Sequence, residues 1–148
     1  MTLIQASGAA FVNGYGRAWA SWDVPRFVDL FSDEVVYVAH PTKETVVGRA
    51  ALESYVRKEQ AEQGDVSVRM GHPITEGNHV GAEFWVTATK GGETTTIAGC
   101  FIARLAPDGR CEFFREYWFD IVAQQRVRGM GGVGDVAGEH RAVASSLC

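Results

Sequence analysis

Asp108-Gly109-Arg110-Cys111-Glu112-Phe113-Phe114-Arg115-Glu116-Tyr117-Trp118-Phe119-Asp120 is the stretch on which the fold and the chemistry of this chain turn. A Pro107-Asp108-Gly109 turn leads into a strand dense in aromatics, with the acid Glu116 among them. Successive side chains of a strand point to opposite faces. Phe114, Glu116 and Trp118 therefore share one face, and Phe113, Arg115, Tyr117 and Phe119 share the other. If the first set faces inward, the charged carboxylate is poorly solvated and its pKa rises toward the range useful for proton transfer. The alternatives for a mid-strand acid are simple exposure or an ion pair with an arginine such as Arg104 on the neighbouring strand.

Upstream of this strand the alternation continues. Thr94 to Leu105 reads as a long strand joined through Lys90-Gly91-Gly92-Glu93 as a hairpin to a half-buried one. In that partner Ala82, Phe84, Val86 and Ala88 alternate with Glu83, Trp85, Thr87 and Thr89. Val66, Val68 and Met70 begin the series, and Pro73 marks a bend or an edge. Before Gln63-Gly64-Asp65 the period is helical. Phe11, Tyr15, Ala18, Trp19 and Trp22 form the apolar face of an opening helix that ends near Asp23. Gly14 and Gly16 each weaken it by roughly 1 kcal/mol against alanine, so packing must compensate. Asp23 caps a second short helix with Pro25 in its first turn and Phe27, Leu30 and Phe31 on its buried side. Val35 to His40 is a β-rich run stopped by Pro41, Glu44 to Val47 returns, and Gly48 leads into a helix from about Arg49 to Glu62 with Leu52, Tyr55 and Val56 as its stripe. Helices gathered at the front and strands at the back predict an α+β fold, its helices covering one face of a curved, mostly antiparallel sheet.

Residues 1–128 are expected to form one domain, and 129–148 a flexible glycine-rich tail or a swapped arm after a helical turn over Val122 to Arg128. The net charge of −4, with no basic run, argues against nucleic acid as a partner, and no apolar stretch is long enough to span a membrane. Met1-Thr2-Leu3-Ile4-Gln5 has no basic n-region, so no signal peptide is read there. Cys100, Cys111 and Cys148 are scattered, which suits reduced thiols in a cytoplasm and not a disulfide framework or a zinc site.

The tail carries G-x-G-x-x-G at Gly129, Gly131 and Gly134, but after the last strand and not inside a βαβ unit, so no dinucleotide site is expected. No His, Cys and acid cluster has metal-ligand spacing, and no G-x-S-x-G elbow is present. Tyr15 lies on the apolar helix face, its hydroxyl in need of a partner: a substrate oxygen, or a backbone carbonyl. Tyr37 and His40 end the first strand, where His40 is either a general base or a histidine exposed before Pro41. His72 reads as structural at a strand end, and His79 and His140 as loop residues. Cys100 reads as a buried inert thiol, which leaves Glu116 as the best acid–base candidate.

Leu30-Phe31-Ser32-Asp33-Glu34, Val47-Gly48-Arg49 and Asp108-Gly109-Arg110 followed by Arg115-Glu116-Tyr117-Trp118, taken with the order of elements, resemble the SnoaL-like polyketide cyclases of the nuclear transport factor 2-like superfamily over about residues 5–125. That resemblance implies a cone: a curved sheet around a deep apolar pocket closed by the helices, dimeric through the sheet's outer face. In the limonene epoxide hydrolase branch the last strand reads Arg-Asp-Tyr, which Arg115-Glu116-Tyr117 matches with glutamate for aspartate. Tyr37 matches that branch's first-strand tyrosine, but Ala39 replaces its asparagine, and its Arg-x-Asp pair falls on Phe84 and Val86. In the ketosteroid isomerase branch a helix-one tyrosine donates to the oxyanion, and Tyr15 stands there. Its base falls on Ala39 or His40, and its partner acid near Phe101.

The resemblance thus implies a pocket with Glu116, Tyr15, Tyr37 and His40 as catalytic groups, and with Trp19, Phe84, Phe101, Phe114 and Trp118 against the substrate. A carboxylate base opposite phenol donors in a dry cavity suits enolisation, aldol-type cyclisation or water activation on a small hydrophobic polyketide-, steroid- or terpenoid-like compound, without cofactor or metal. The rival expectation is a non-catalytic ligand-binding or dimerisation module. In either case the expected partners are a small hydrophobic ligand and a second copy of the chain.

Overall fold

In the computed structural model, which describes residues 3–121, the C-terminal alternation builds one open sheet. The elements run α1 (Leu3–Ser21), α2 (Val24–Asp29), β1 (Phe31–Val38), β2 (Val46–Val47), α3 (Arg49–Gln63), β3 (Asp65–Met70), β4 (Ile74–Glu76), β5 (His79–Lys90), β6 (Glu93–Leu105) and β7 (Cys111–Asp120). The sheet order is β2-β1-β7-β6-β5-β3, with β4 also paired to β5. All pairings are antiparallel except β1 with β7, which brings the first and last long strands side by side in parallel. The expectations for Val122–Arg128, for the tail at 129–148, and for His140 and Cys148 fall outside the described residues.

Local chemistry explains the joints. Lys90 pairs with Glu93 across Gly91 and Gly92, whose φ of +60° and +80° give the two-residue hairpin that matches strand twist. Asp23 accepts the Arg26 N–H at 3.1 Å and caps α2. The end of α1 is a Schellman motif, with Asp23 N–H bonded to the Ala18 carbonyl and Trp22 N–H to that of Trp19. Its left-handed residue is Trp22, at φ +50°, where glycine is usual. The indole compensates by donating to the Gly64 carbonyl at 2.8 Å.

Phe11, Val12, Tyr15, Ala18 and Trp19 are the buried face of α1, packed on the inner face of the sheet. Gly16 supplies the compensation that the sequence required: a Cβ there would lie 2.6 Å from Met70 Cγ, so its absence lets the helix settle onto β3. Two boundaries differ from the sequence reading. Phe31 opens β1 instead of closing the second helix, because Cys111 N–H bonds the Leu30 carbonyl at 2.8 Å and Phe31 pairs with Cys111. His79 is the first residue of β5, paired with Glu76, and not a loop residue. Among the described residues no helix is long and apolar enough to cross a membrane.

Candidate active site

Strand β7 lies between β1 and β6 and carries Phe114, Glu116 and Trp118 on the face covered by the helices. Arg115, Tyr117 and Phe119 are exposed on the other side. Glu116 is 5% exposed, the one buried charged side chain among the described residues. Arg104, the ion-pair partner weighed for it, bridges Glu112 at 2.7 Å instead.

The phenols supply the carboxylate's partners. Tyr15 reaches it from α1 and Tyr37 from β1, and both donate to the same oxygen, Glu116 Oε1, Tyr37 at 3.2 Å. The Tyr37 ring stacks on Phe114, with centroids 4.8 Å apart, which fixes its reach. None of the hydrogen bonds that Glu116 accepts from the described residues falls on Oε2, yet no buried side-chain oxygen among them is left without a partner. The second oxygen therefore opens onto the cavity. One oxygen is anchored and the other is free to take a proton.

Burial pushes the Glu116 carboxyl from its ordinary value near 4.5 up to about 7. The hydrogen bonds from Tyr15 and Tyr37 and the charge of Lys43 pull it back, while Glu59 adds an upward push. Tyr15 and Tyr37 are raised well above ordinary phenols by burial and then by the charge of Glu116, so both stay protonated as donors. A carboxyl near 7 is present in both forms at neutral pH and can accept a proton and return it.

The cavity in front of Glu116 has a volume of about 140 Å³. Tyr15, Tyr37, Trp19, Val86, Ile97 and Trp118 form much of its wall. Its mouth is polar: Lys43 from the β1–β2 loop, Tyr55, Glu59 and Gln63 from α3, and Thr95. A hydrogen-bonded belt crosses that mouth, from Trp19 Nε1 to Gln63 Oε1 at 3.1 Å and from Gln63 Nε2 to Glu59 Oε2 at 3.2 Å. Lys43 Nζ closes it, 3.5 Å from both Glu59 Oε1 and the Tyr55 hydroxyl. Among the described residues no group of three or more His, Cys, Asp or Glu is placed to hold a metal ion.

Of the residues singled out in the sequence, Glu116, Tyr15, Tyr37, Trp19 and Trp118 meet at this cavity. His40 does not line it: its ring contacts Thr42 Oγ1 at 2.8 Å and the Trp118 carbonyl at 3.3 Å. Phe84, Phe101 and Phe114 do not line it either. They are fully buried, Phe101 and Phe114 each 5.3 Å from the Tyr15 ring and Phe84 5.6 Å from that of Trp19. Tyr15 and Tyr37 also differ from expectation in aim, since they clamp the carboxylate and do not face it across the cavity. The mouth residues Lys43, Glu59 and Gln63 escaped notice. The signal for two of them was the i, i+4, i+8 spacing of Tyr55, Glu59 and Gln63 on one helix face.

A model of the SnoaL-like domain family matches residues 12–113. Among solved structures the fold is similar to that of SalBIII, described as an epoxide hydrolase/cyclase-like enzyme in pyran ring formation in the polyether salinomycin. The TM-score is 0.67 at 22% identity, over 74% of this chain and 88% of that one. An NTF2-like protein of unknown function from Exiguobacterium sp. 255-15 matches with TM-score 0.66 at 20% identity, over 74% of this chain and 98% of the other. A Mycobacterium tuberculosis LEH-like epoxide hydrolase also matches, with TM-score 0.66 at 18% identity, over 77% and 84%. These likenesses establish the shared fold. Comparison with curated proteins finds no match.

Proposed function

The chain belongs to the SnoaL-like domain family, and from that premise we propose that it is a cofactor-independent acid–base enzyme, a cyclase, isomerase or hydrolase acting on a small hydrophobic polyketide-, steroid- or terpenoid-like compound. The observation that carries this reading is the division of labour within Glu116: Oε1 clamped by Tyr15 and Tyr37, Oε2 open to the cavity. A structural carboxylate would have both oxygens satisfied by the protein. Oε2 takes a proton from an acidic C–H beside a carbonyl, or from a hydroxyl nucleophile. The freed electron pair forms the enolate, or forms a new C–O bond at an epoxide carbon as that carbon's C–O bond breaks, and the carboxylic acid returns the proton to the enolate carbon or to the released alkoxide oxygen. The structural relatives described as hydrolase or cyclase-like support the hydroxyl variant by fold alone.

An enclosed space of roughly 150 Å³ holds one benzene ring. The cavity of about 140 Å³ therefore takes one ring of the substrate, with the rest passing the polar mouth. The general test needs no knowledge of the natural substrate. In D₂O the protein should accelerate deuterium exchange at the carbon beside the carbonyl of cyclohexanone, with a rising limb near pH 7. Glu116→Gln should lower that rate by about 100-fold or more, the usual weight of a general base. Saturable binding of the ketone with no accelerated exchange would favour a non-catalytic binding pocket. One observation supports that second reading: both buried phenols are spent on Glu116, which leaves neither aimed at a developing oxyanion.

The outer sheet face supports a homodimer. Tyr117 is 43% and Phe119 45% exposed, and Ile102 beside them 37%. In the sheet Cys100 pairs with Tyr117 and Ala98 with Phe119, so these side chains form one continuous patch with Trp85. Contiguous apolar surface of this kind marks an association site. Sedimentation should give a dimer at micromolar concentration, and Tyr117→Glu with Phe119→Glu a monomer. A parent chain that sediments as a monomer overturns the assignment. Neither Cys100 nor Cys111 is in a disulfide, which supports a cytoplasmic setting.

A further inference from the structure

We propose that Lys43 is a positioning residue for Glu116: from the loop between β1 and β2 it holds an ammonium over the cavity that the carboxylate faces, and Glu59 sets how much of that charge Glu116 receives. This deepens the acid–base reading and rests on it.

The geometry is that of a held charge, not a wandering surface lysine. Lys43 Nζ lies 3.5 Å from Glu59 Oε1 and 3.5 Å from the Tyr55 hydroxyl. It also sits over two aromatic rings, 5.7 Å from the centroid of Tyr55 and 5.6 Å from that of Trp118. Both rings line the same cavity as Glu116, and Trp118 is two residues from it on the same face of β7. Lys43 is the one basic side chain among the described residues that line this cavity. Cation–π contacts and one shared carboxylate restrict a side chain that otherwise has free rotamers.

The other charged or titratable groups around Glu116 come from each packed element. Tyr15 on α1 and Tyr37 on β1 donate to it; α3 brings Tyr55 and Glu59; and β5 and β6 present only Val86, Ala88, Thr95 and Ile97. Glu59 is therefore the one further carboxylate on this wall, and Lys43 lies against it. Gln63 fixes Glu59 in turn, and Trp19 fixes Gln63. Because Glu116 is buried, a charge that faces it acts on it more strongly than on a surface carboxylate. The ammonium favours the ionised form of Glu116, and Glu59 opposes it, in line with the direction in which each moves the carboxyl.

The arrangement makes the mouth a control on the base. A ligand group that draws Lys43 away from Glu59 strengthens or weakens the ammonium's hold on Glu116, so occupancy at the mouth changes proton affinity at the floor.

The test is direct titration of the Glu116 side-chain carboxyl by ¹³C NMR in the full chain, with no substrate present. Lys43→Met should raise its midpoint by about half a unit or more, and Lys43→Arg should keep it near the parent value. Glu59→Gln should lower it. A Lys43→Met midpoint equal to the parent's, or a Lys43→Arg chain that titrates like Lys43→Met, overturns the proposal. Melting curves at pH 7 separate this from misfolding, because a variant that unfolds gives the free-carboxyl midpoint of an exposed glutamate. Failure here leaves deuterium exchange by Glu116 untouched, and failure of exchange leaves these midpoints measurable.

Discussion

Glu116→Gln should melt several degrees above the parent chain at pH 8, and the two should converge near pH 4. The sign follows from proton linkage. The folded-state pKa is raised by burial from 4.5 to about 7, so between those values the folded chain holds a proton that the unfolded chain has released. Stability of the parent therefore falls as pH rises from about 4.5 to about 7, and is level above that. A rise from 4.5 to about 7 corresponds to about 3 kcal/mol at full ionisation. For a chain of this length that amounts to roughly 5–10 °C in melting temperature. Glutamine carries no charge at any of these pH values and keeps an Oε1 that accepts from Tyr15 and Tyr37, so it escapes the slope. The expected picture is a gap that opens with pH, read by differential scanning calorimetry at pH 4, 6 and 8. A glutamate held by a structural ion pair has the opposite sign: its loss destabilises the chain, most of all at high pH. A parent chain that outlasts Glu116→Gln at pH 8 would remove the buried-base assignment altogether.

Much of the fold was legible because its signals are local. Alternation in Ala82 to Ala88 and Thr94 to Leu105, the hairpin at Gly91-Gly92 and the cap at Asp23 each need only neighbours in sequence. Phe31 was misread because its place is set by a partner far along the chain. The pairing with Cys111 in a parallel ladder draws it out of the helical pattern that its apolar neighbours suggest. The same contrast runs through the site. Parity alone puts Glu116 and Trp118 on one face of β7 and Tyr37 on the inner face of β1, whereas His40, three residues on, falls at the opposite parity. Parity cannot tell which inward residues border empty space. Phe84, Phe101 and Phe114 have the right facing, but Phe101 and Phe114 pack against Tyr15 and Phe84 packs against Trp19, because α1 crosses the sheet there and fills the space above them. The mouth was hidden for a further reason. Lys43 is in a loop with no period at all, and Glu59 and Gln63 are polar, so neither leaves a mark in a hydrophobic pattern.

Gly99→Ala should destabilise the chain by about 3 kcal/mol or more, although alanine in a strand interior is normally the better residue by roughly 0.5–1 kcal/mol. The reversal comes from what stands opposite. Gly99 pairs with Phe84 on β5 and with Trp118 on β7, in the middle of the sheet. A Cβ at this position would lie 2.1 Å from the Tyr117 carbonyl oxygen, 2.6 Å from Trp118 Cβ and 2.8 Å from Trp118 Cα. These atoms belong to the backbone or adjoin it, so no side-chain rotation relieves the clash, and the β6–β7 ladder itself must part. Trp118 is displaced with it. Its indole donates to the Ala39 carbonyl at 2.8 Å and walls the cavity beside Lys43, so loss of the ladder also loosens the site. Gly77→Ala is the matched control, with nothing within 4 Å of the added Cβ and only its φ of +55° to strain. Denaturant midpoints should therefore fall far more for Gly99→Ala than for Gly77→Ala, and binding of cyclohexanone should weaken only in the former. Equal midpoints for the two variants would mean that β7 does not press against β6 as closely as this register requires.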